Sequence, residues 1–256
     1  MKTIITSAAT LALVTILLVG CNQQQSATEE QKPVSKTGAT MLNFIEHERG
    51  VEPYPTRLIV TEKYLRFDDG EGSADFVLLD RGKDVVYSVN SEEETVMAVH
   101  KKQLEIQPPF KLELTFKQLS DMEKAPDIEG IKPKHYQFSA NGEKCYEVIA
   151  VQGLMPDVVT ALQEFTDLLA SDSKVTFSSL PADLHNPCDI SMNTFAAGRH
   201  LRFGFPIQEW SVNGSGRALV DFQLNYQVDE ALFVLPADYH HFTVQEFREG
   251  KVVQPE

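Results

Sequence analysis

Carboxylate and imidazole groups cluster at two places in this 256-residue chain where they could carry chemistry. The segment 68–75 begins at Asp68, ends at Asp75 and holds four carboxylates around two glycines, a composition that can wrap a calcium ion. It lacks the spacing of an EF-hand loop, so we favour an exposed hairpin loop there. Asp238 and His240 would lie on one side of an extended segment beside His241, but no further histidine stands in register with them. We therefore predict no metal site and no cofactor.

Motifs typical of enzymes are absent from the sequence. It contains no Gly-x-Ser-x-Gly nucleophile elbow, no phosphate-binding glycine loop and no zinc-protease motif. The net charge of −14 repels phosphate backbones, which argues against a nucleic-acid partner. We predict that the protein is not an enzyme and does not bind nucleic acid.

The first 20 residues have the composition of an export signal peptide. One positive charge at Lys2 precedes an apolar stretch, 11–19, that is too short for a membrane span. The stretch ends in Leu-Val-Gly-Cys at 18–21, which resembles the lipobox of bacterial lipoproteins. That resemblance implies cleavage after Gly20, attachment of acyl chains such as palmitate to Cys21, and anchoring in a membrane. A secretory signal with a chance cysteine is the alternative.

The residue after Cys21 bears on localisation. In Gram-negative bacteria an aspartate at that position usually retains a lipoprotein at the inner membrane, and this chain has Asn22. The resemblance therefore implies anchoring in the outer membrane, with the protein facing the periplasm. Residues 21–40 are rich in Gln, Ser, Thr, Glu and Lys and predict a lipidated N-terminus followed by a disordered tether. We expect one folded domain over 41–250 and a frayed tail over 251–256.

Two further cysteines, Cys145 and Cys188, follow the lipobox cysteine. In an oxidising compartment an even pair of thiols usually forms a disulfide, which is our prediction. The alternative is a catalytic thiol at Cys188, three residues after His185.

The elements that must position these groups are mostly short strands. Between 57 and 100, apolar runs alternate with turn-forming segments, the pattern of an antiparallel meander. The five runs are 58–61, 64–67, 76–79, 85–89 and 95–99. Further strands are predicted at 41–48, 110–116, 134–139, 143–151, 210–213, 216–228, 231–235 and 242–247. Apolar spacing predicts a main helix over 157–170, and Asn186 before Pro187 predicts the start of a second, shorter helix that ends near Phe195. The fold class is therefore α+β with a dominant antiparallel sheet and one or two helices.

Three strand segments, 64–70, 75–81 and 85–90, resemble the strand pattern of LolA/LolB-like periplasmic lipoprotein-sorting proteins. The segments 187–189, 204–206 and 235–239 resemble uncharacterised proteobacterial lipoproteins. Proteins of the Lol type curve an antiparallel sheet into a half-barrel, with helices on its concave side, and hold acyl chains there. The resemblance implies that fold for residues 41–250.

The resemblance favours a non-enzymatic lipoprotein that binds an apolar ligand, such as the acyl chains of a lipid or lipoprotein, in its curved sheet. The candidate lining residues are Leu58, Val60, Leu65, Phe67, Phe76, Leu78 and Leu114. The alternative is an envelope scaffold or assembly protein that binds another protein through its sheet surface or sheet edge. In either case the membrane would be a partner through the lipid on Cys21.

Overall fold

The computed structural model describes residues 36–252, apart from Glu71, Ser73, Leu104 and 182–184. The predicted signal peptide, Cys21, residues 22–35 of the predicted tether and residues 253–256 of the predicted tail lie outside the described residues. The described residues belong to one compact unit, Val34–Glu256. Within the described part of the chain, no helix is both long enough and apolar enough to cross a membrane.

Over the described residues, twelve strands form one curved, unclosed sheet. They are β1 (Lys36–His47), β2 (Tyr54–Val60), β3 (Tyr64–Asp68), β4 (Phe76–Asp80), β5 (Val85–Asn90), β6 (Thr95–His100), β7 (Leu114–Leu119), β8 (Lys134–Ala140), β9 (Glu143–Val151), β10 (Phe205–Ser211), β11 (Gly216–Asp229) and β12 (His240–Thr243). Their spatial order is β12-β6-β5-β4-β3-β2-β1-β11-β10-β9-β8-β7. The predicted meander is confirmed, because β2 to β6 pair in sequence order and antiparallel.

The sheet is mixed, although it is dominated by antiparallel pairs as predicted. The short strand β12 pairs parallel with β6, while the other pairings are antiparallel. The strand predicted over 242–247 is therefore only partly correct. After β12 the chain turns into a short helix, Val244–Arg248, because Thr243 and Glu246 form a capping box at its start.

The long helix α1 (Pro156–Ser179) packs on one face of the sheet, which we call the helix face. A hydrophobic core lies between α1 and the sheet. Four apolar residues spaced along one side of α1 contribute to it: Val158, Leu162, Phe165 and Leu169. On the sheet side the core includes Leu42, Leu58 and Leu65, each 0% exposed. The helix runs nine residues past the predicted end at 170 because its polar side chains there have partners. Asp172, for example, pairs with Arg248 at 2.6 Å.

The opposite face of the sheet is also covered, and this was not predicted. The segment 231–235, predicted as a strand, lies largely in a 3₁₀ helix, Glu230–Phe233, because the Asp229 carboxylate accepts a hydrogen bond from the Ala231 N–H and caps it. Phe233 stacks on Tyr64 with ring centroids 5.1 Å apart. The middle of the sheet is therefore buried on both faces.

Four other boundaries differ from the prediction. Residues 36–40, predicted as tether, belong to β1 because β11 is long enough to pair with them. Strand β10 begins at Phe205 rather than at 210, directly after Gly204, and β7 lies over Leu114–Leu119 rather than 110–116. The second predicted helix starts as expected at α2 (Pro187–Ile190), where the Asn186 side chain accepts the N–H groups of Cys188 and Asp189, but it continues as a π-helical turn, Ser191–Phe195.

Candidate ligand-binding cavity

A cavity of about 370 Å³ lies between the helix face of the sheet and the elements that cover it. The sheet contributes side chains from β1, β3, β9, β10 and β11, and the cover is made by α1 and by the segment 198–201 that precedes β10. The lining of the cavity includes Glu46, Phe67, Tyr146, Leu162, Phe165, Thr166, His200, Glu209 and Arg217. The volume is within the range of small-molecule pockets.

Three charged side chains lie side by side on the sheet floor of the cavity. Glu46 on β1 pairs in register with Arg217 on β11, and Arg217 pairs in register with Glu209 on β10. The Arg217 Nε lies 2.5 Å from the Glu209 Oε1 in an ion pair whose side chains are 19% and 22% exposed. The Arg217 guanidinium also lies 5.1 Å from the centre of the Phe44 ring. Arg217 is therefore already occupied by a carboxylate and an aromatic ring.

His200 adds an imidazole to this end of the cavity. Its Nε2 lies 3.3 Å from the Glu209 Oε2, and its ring packs edge-on against Tyr146 at 5.7 Å. Burial lowers the pKa of His200, and the positive charge of Arg217 acts in the same direction. Burial alone would raise the pKa of Glu209, but the charge of Arg217, the interaction with His200 and the hydrogen bond from Arg217 together outweigh it and the pKa is lowered. At neutral pH the favoured state is a neutral imidazole beside an ionised Glu209.

Glu46 differs from Glu209 in having no cation of its own. Burial raises its pKa, and the more distant charge of Arg217 only partly offsets that effect. The Thr56 Oγ1 donates a hydrogen bond of 3.1 Å to the Glu46 Oε1. Among the described residues, no Lys, Arg or His nitrogen lies within 4 Å of this carboxylate. Glu46 is thus a half-buried carboxylate with one weak partner.

The remaining walls of the cavity are apolar or aromatic. Phe67 on β3 and Phe165 on α1 contact each other with ring centroids 5.2 Å apart, and Leu162 lies one turn before Phe165. Tyr146 stacks on Phe138 at 4.6 Å, and burial raises the pKa of Tyr146 to about 12, so it is a neutral phenol at pH 7. The cavity therefore has one charged end and one apolar end.

The structure separates the seven candidate lining residues. Leu58, Val60 and Leu65 lie in the core beneath α1 and are 0–4% exposed. Of the seven, Phe67 alone lines the 370 Å³ cavity. Val60 also borders a second cavity, of about 860 Å³, near the start of α1, where the nearby Arg81 is already paired with Glu164 at 2.5 Å.

Phe76, Leu78 and Leu114 lie elsewhere. Phe76 and Leu78 point to the opposite face of the sheet, and Leu114 lies on edge strand β7 with 41% of its surface exposed. The run 76–79 is apolar at every position because both faces of the sheet are covered there, so its sequence carried no signal of which side chains share a face.

The other residues singled out in the sequence have structural partners. Cys145 on β9 and Cys188 on α2 form a disulfide with an Sγ–Sγ distance of 2.01 Å. His241 contacts the Pro236 carbonyl oxygen at 2.8 Å, and His240 stacks on the Phe242 ring. Among the described residues, no group of three or more His, Cys, Asp or Glu side chains could hold a metal ion.

The acidic segment 68–75 also proves to be partly structural. Asp68 is buried and binds Arg57 at 2.8 Å and Arg66 at 2.7 Å, while Asp75 accepts hydrogen bonds from Ser91. These bonds occupy two of the four carboxylates that were considered for calcium. Glu71 lies outside the described residues.

Sequence reasoning did not identify Glu46, His200, Glu209 and Arg217 as residues of one site. Glu46 lies at the polar end of β1, directly before His47 and Glu48, and Glu209 follows Gln208 in β10, so their sequence neighbours gave no signal of a cavity. Their juxtaposition depends on β1 pairing with β11 across more than half of the chain, which local patterns do not encode.

Comparison with known proteins identifies no relatives by sequence. No family model and no curated protein matches the chain. Among solved structures, PNGF-II in the C2 space group aligns with a TM-score of 0.40 and 11% identity, over 83% of this chain and 32% of PNGF-II. An uncharacterized conserved protein from Thermus thermophilus aligns with a TM-score of 0.39 and 9% identity, over 80% of this chain and 90% of that one. The chain spans about a third of PNGF-II, and these weak similarities assign neither a family nor an activity.

Proposed function

We propose that this protein is a non-enzymatic binding protein that holds the apolar part of a small ligand, such as an acyl chain, in the cavity between α1 and the sheet. The observation that carries the proposal is the cavity itself, with the apolar walls of Phe67, Leu162 and Phe165. Each methylene buried against such walls contributes about 0.8 kcal/mol, so six to eight of them would contribute roughly 5 to 6 kcal/mol.

The proposal includes a place in the cell. We propose that the chain is a lipoprotein of the outer membrane, anchored through acyl chains on Cys21 and facing the periplasm. The sequence motif at 18–21 supports the anchor, and the Cys145–Cys188 disulfide is consistent with an oxidising compartment. The curved, unclosed sheet with a helix on one face agrees with a LolA/LolB-like half-barrel, which we retain as part of the proposal.

A second candidate function is an envelope scaffold that binds another protein through a sheet edge. Strand β7 ends the sheet and exposes 41% of Leu114 and 49% of Phe116. An edge strand with exposed apolar side chains can pair with an extended segment of a partner. This observation makes β7 a candidate docking edge.

The experiment that tests the cavity is native mass spectrometry combined with lipid analysis of the chain purified from a bacterial periplasm. We expect about one acyl species per chain. A Thr166→Trp substitution on α1 would fill the cavity and should remove that species, while Ser178→Trp, at an exposed position of the same helix outside both cavities, should retain it. A folded, empty wild-type chain that also binds none of a set of added fluorescent alkyl probes with cationic, neutral and anionic ends would contradict the proposal and direct the work to crosslinking of a protein partner at β7.

A further inference from the structure

We infer that the charged end of the cavity selects a cationic group, so that the ligand is an amine with an apolar body rather than a fatty acid. This inference rests on the proposed function, because it assumes that the cavity binds a ligand. It goes beyond that function by naming the chemical class of the polar end.

The first argument is the charge balance of the cavity floor. Two carboxylates, Glu46 and Glu209, face one guanidinium, Arg217. His200 is buried beside them with a neutral imidazole favoured, and Glu48 lies at the mouth. With Glu46 ionised, the floor carries one uncompensated negative charge, and a bound cation would neutralise it.

The second argument is that the Arg217 charge on the floor is already balanced by a carboxylate. The Glu209 Oε1 lies 2.5 Å from the Arg217 Nε, and the Phe44 ring lies 5.1 Å from the guanidinium. A carboxylate or phosphate head group that approached Arg217 would lie beside both the Glu46 and the Glu209 carboxylates. Their negative charges repel it in a partly buried site, so an anionic head group is disfavoured.

The third argument is the position of Glu46. Its carboxylate is half-buried, accepts one hydrogen bond from Thr56 at 3.1 Å and has no cation within 4 Å among the described residues. Desolvated carboxylates are usually paired, because burial without a partner is unfavourable. An ammonium group in the cavity would supply the missing partner through a charge-assisted hydrogen bond.

The apolar end of the cavity determines which chemical group the ligand carries next to its ammonium. Phe67 and Phe165 meet at 5.2 Å, and Leu162 extends the same wall along α1. An alkyl or aryl group would pack there while its ammonium faces Glu46.

The test compares three probes that have the same six-carbon body and different polar ends: hexylamine, hexanol and hexanoate. Isothermal titration calorimetry would use the full-length chain in a neutral maltoside detergent at pH 8, where Glu46 is ionised. We expect hexylamine to bind at least tenfold more tightly than hexanol and hexanoate to bind more weakly than hexanol. Glu46→Gln should reduce hexylamine affinity at least tenfold and leave hexanol affinity unchanged. The matched control Glu143→Gln, an exposed hairpin glutamate outside the cavity, should bind all three probes as the wild type does.

The outcomes separate this inference from the proposed function. If hexanol binds as tightly as hexylamine and Thr166→Trp blocks both, the cavity is a binding site but the selection of a cation is wrong. If Glu46→Gln leaves hexylamine affinity unchanged, Glu46 is not the ammonium partner. If none of the three probes binds the folded wild-type chain, the proposed function fails as well.

Discussion

Glu46 has a side chain whose environment opposes its ionised form. Burial raises its pKa above the usual value of 4.5, and its one hydrogen bond comes from Thr56. A carboxylate held in this way lowers the stability of the free protein at neutral pH. Groups of this kind are often retained because they serve a binding or catalytic site.

We predict that Glu46→Gln keeps or increases the free energy of unfolding at pH 7, by up to about 1 kcal/mol. The sign follows from the raised pKa. Above the pKa of the folded state the wild type holds a disfavoured charge, whereas at pH 4 the carboxyl is largely protonated and the advantage of glutamine disappears. Urea unfolding at both pH values measures this difference. A loss of more than 1 kcal/mol at pH 7 would instead make Glu46 a structural residue.

The same pKa shift predicts a pH dependence for amine binding. A protonated Glu46 cannot pair with an ammonium group, so hexylamine affinity should fall as the pH decreases through the raised pKa of Glu46. Arg217, Glu209, Glu48, His47 and His200 also line this end of the cavity, and of these the buried His200 would bring a repelling positive charge at low pH. Calorimetry between pH 8 and pH 5 should show this decrease for hexylamine and none for hexanol. Affinity for hexylamine that is independent of pH would contradict the role of Glu46.

At the scale of single elements, Gly204 fixes where β10 begins. Its φ is 119°, and a Cβ there would lie 2.3 Å from the Val151 carbonyl oxygen on the neighbouring strand. We predict that Gly204→Ala lowers the free energy of unfolding by about 2 kcal/mol or more, because the backbone and the close approach are both unsuited to a side chain. Gly38→Ala is the control, since the nearest atom to its Cβ would be 3.9 Å away and its effect should be small. Equal unfolding midpoints for the two variants would show this account of Gly204 to be wrong.

The disulfide joins β9 to α2, two elements that are far apart in the sequence. Cys145 on β9 and Cys188 on α2 are 43 residues apart, and the loop between them includes α1. The chain-entropy model gives roughly 4 kcal/mol for a loop of this length. We predict that the double substitution Cys145→Ala and Cys188→Ala lowers stability by about that amount, measured by urea unfolding against the oxidised wild type. A change below about 1 kcal/mol would mean that packing alone holds α2 in place.

Local sequence patterns predicted some secondary-structure elements correctly and others not. The meander β2 to β6, the hairpin of β8 and β9 and the stripe of α1 follow local patterns of apolar residues and turns, and those patterns identified them. The segment 231–235 has the apolar content of a strand, yet a side-chain cap at Asp229 and packing against Tyr64 make much of it a 3₁₀ helix. Tertiary contacts of that kind leave no periodic signal in the sequence.

For the whole molecule, buried carboxylates paired with arginines connect distant parts of the fold. Burial opposes the ionisation of Asp68, but hydrogen bonds from Arg57 and Arg66 outweigh it and lower the pKa of the carboxyl. Asp172 on α1 is held in the same way by Arg248 and Lys102. A lowered pKa means that these pairs stabilise the fold above the unfolded-state pKa of about 3.8 and lose that effect as the pH falls through the folded-state pKa.

We therefore predict that the free energy of unfolding is nearly constant between pH 7 and pH 5 and falls steeply below pH 4. Asp68→Asn should be less stable than the wild type at pH 7 and should show a smaller decrease on acidification. Urea unfolding across this pH range measures both effects. A wild type whose stability is unchanged at pH 3 would contradict the role assigned to these pairs.

The cavity is a property of the whole fold, and the sequence predicted little of it. Phe67 was among the candidate lining residues, but Glu46, Glu209 and Arg217 meet only because β1 pairs with β11 and β11 with β10. The candidates Leu58 and Leu65 are 0% exposed in the core beneath α1. A sequence pattern distinguishes buried from exposed faces, but it does not distinguish a packed core from the wall of a cavity.

The most direct test of the central claim is a crystal structure of the protein soaked with 6-bromohexylamine. The anomalous signal of bromine locates the apolar end of the probe without ambiguity. Our account predicts bromine beside Phe67 and Phe165 and the amine nitrogen within hydrogen-bond distance of the Glu46 carboxylate. Bromine at another place on the molecule, or a cavity with no probe at a saturating concentration, would contradict the account.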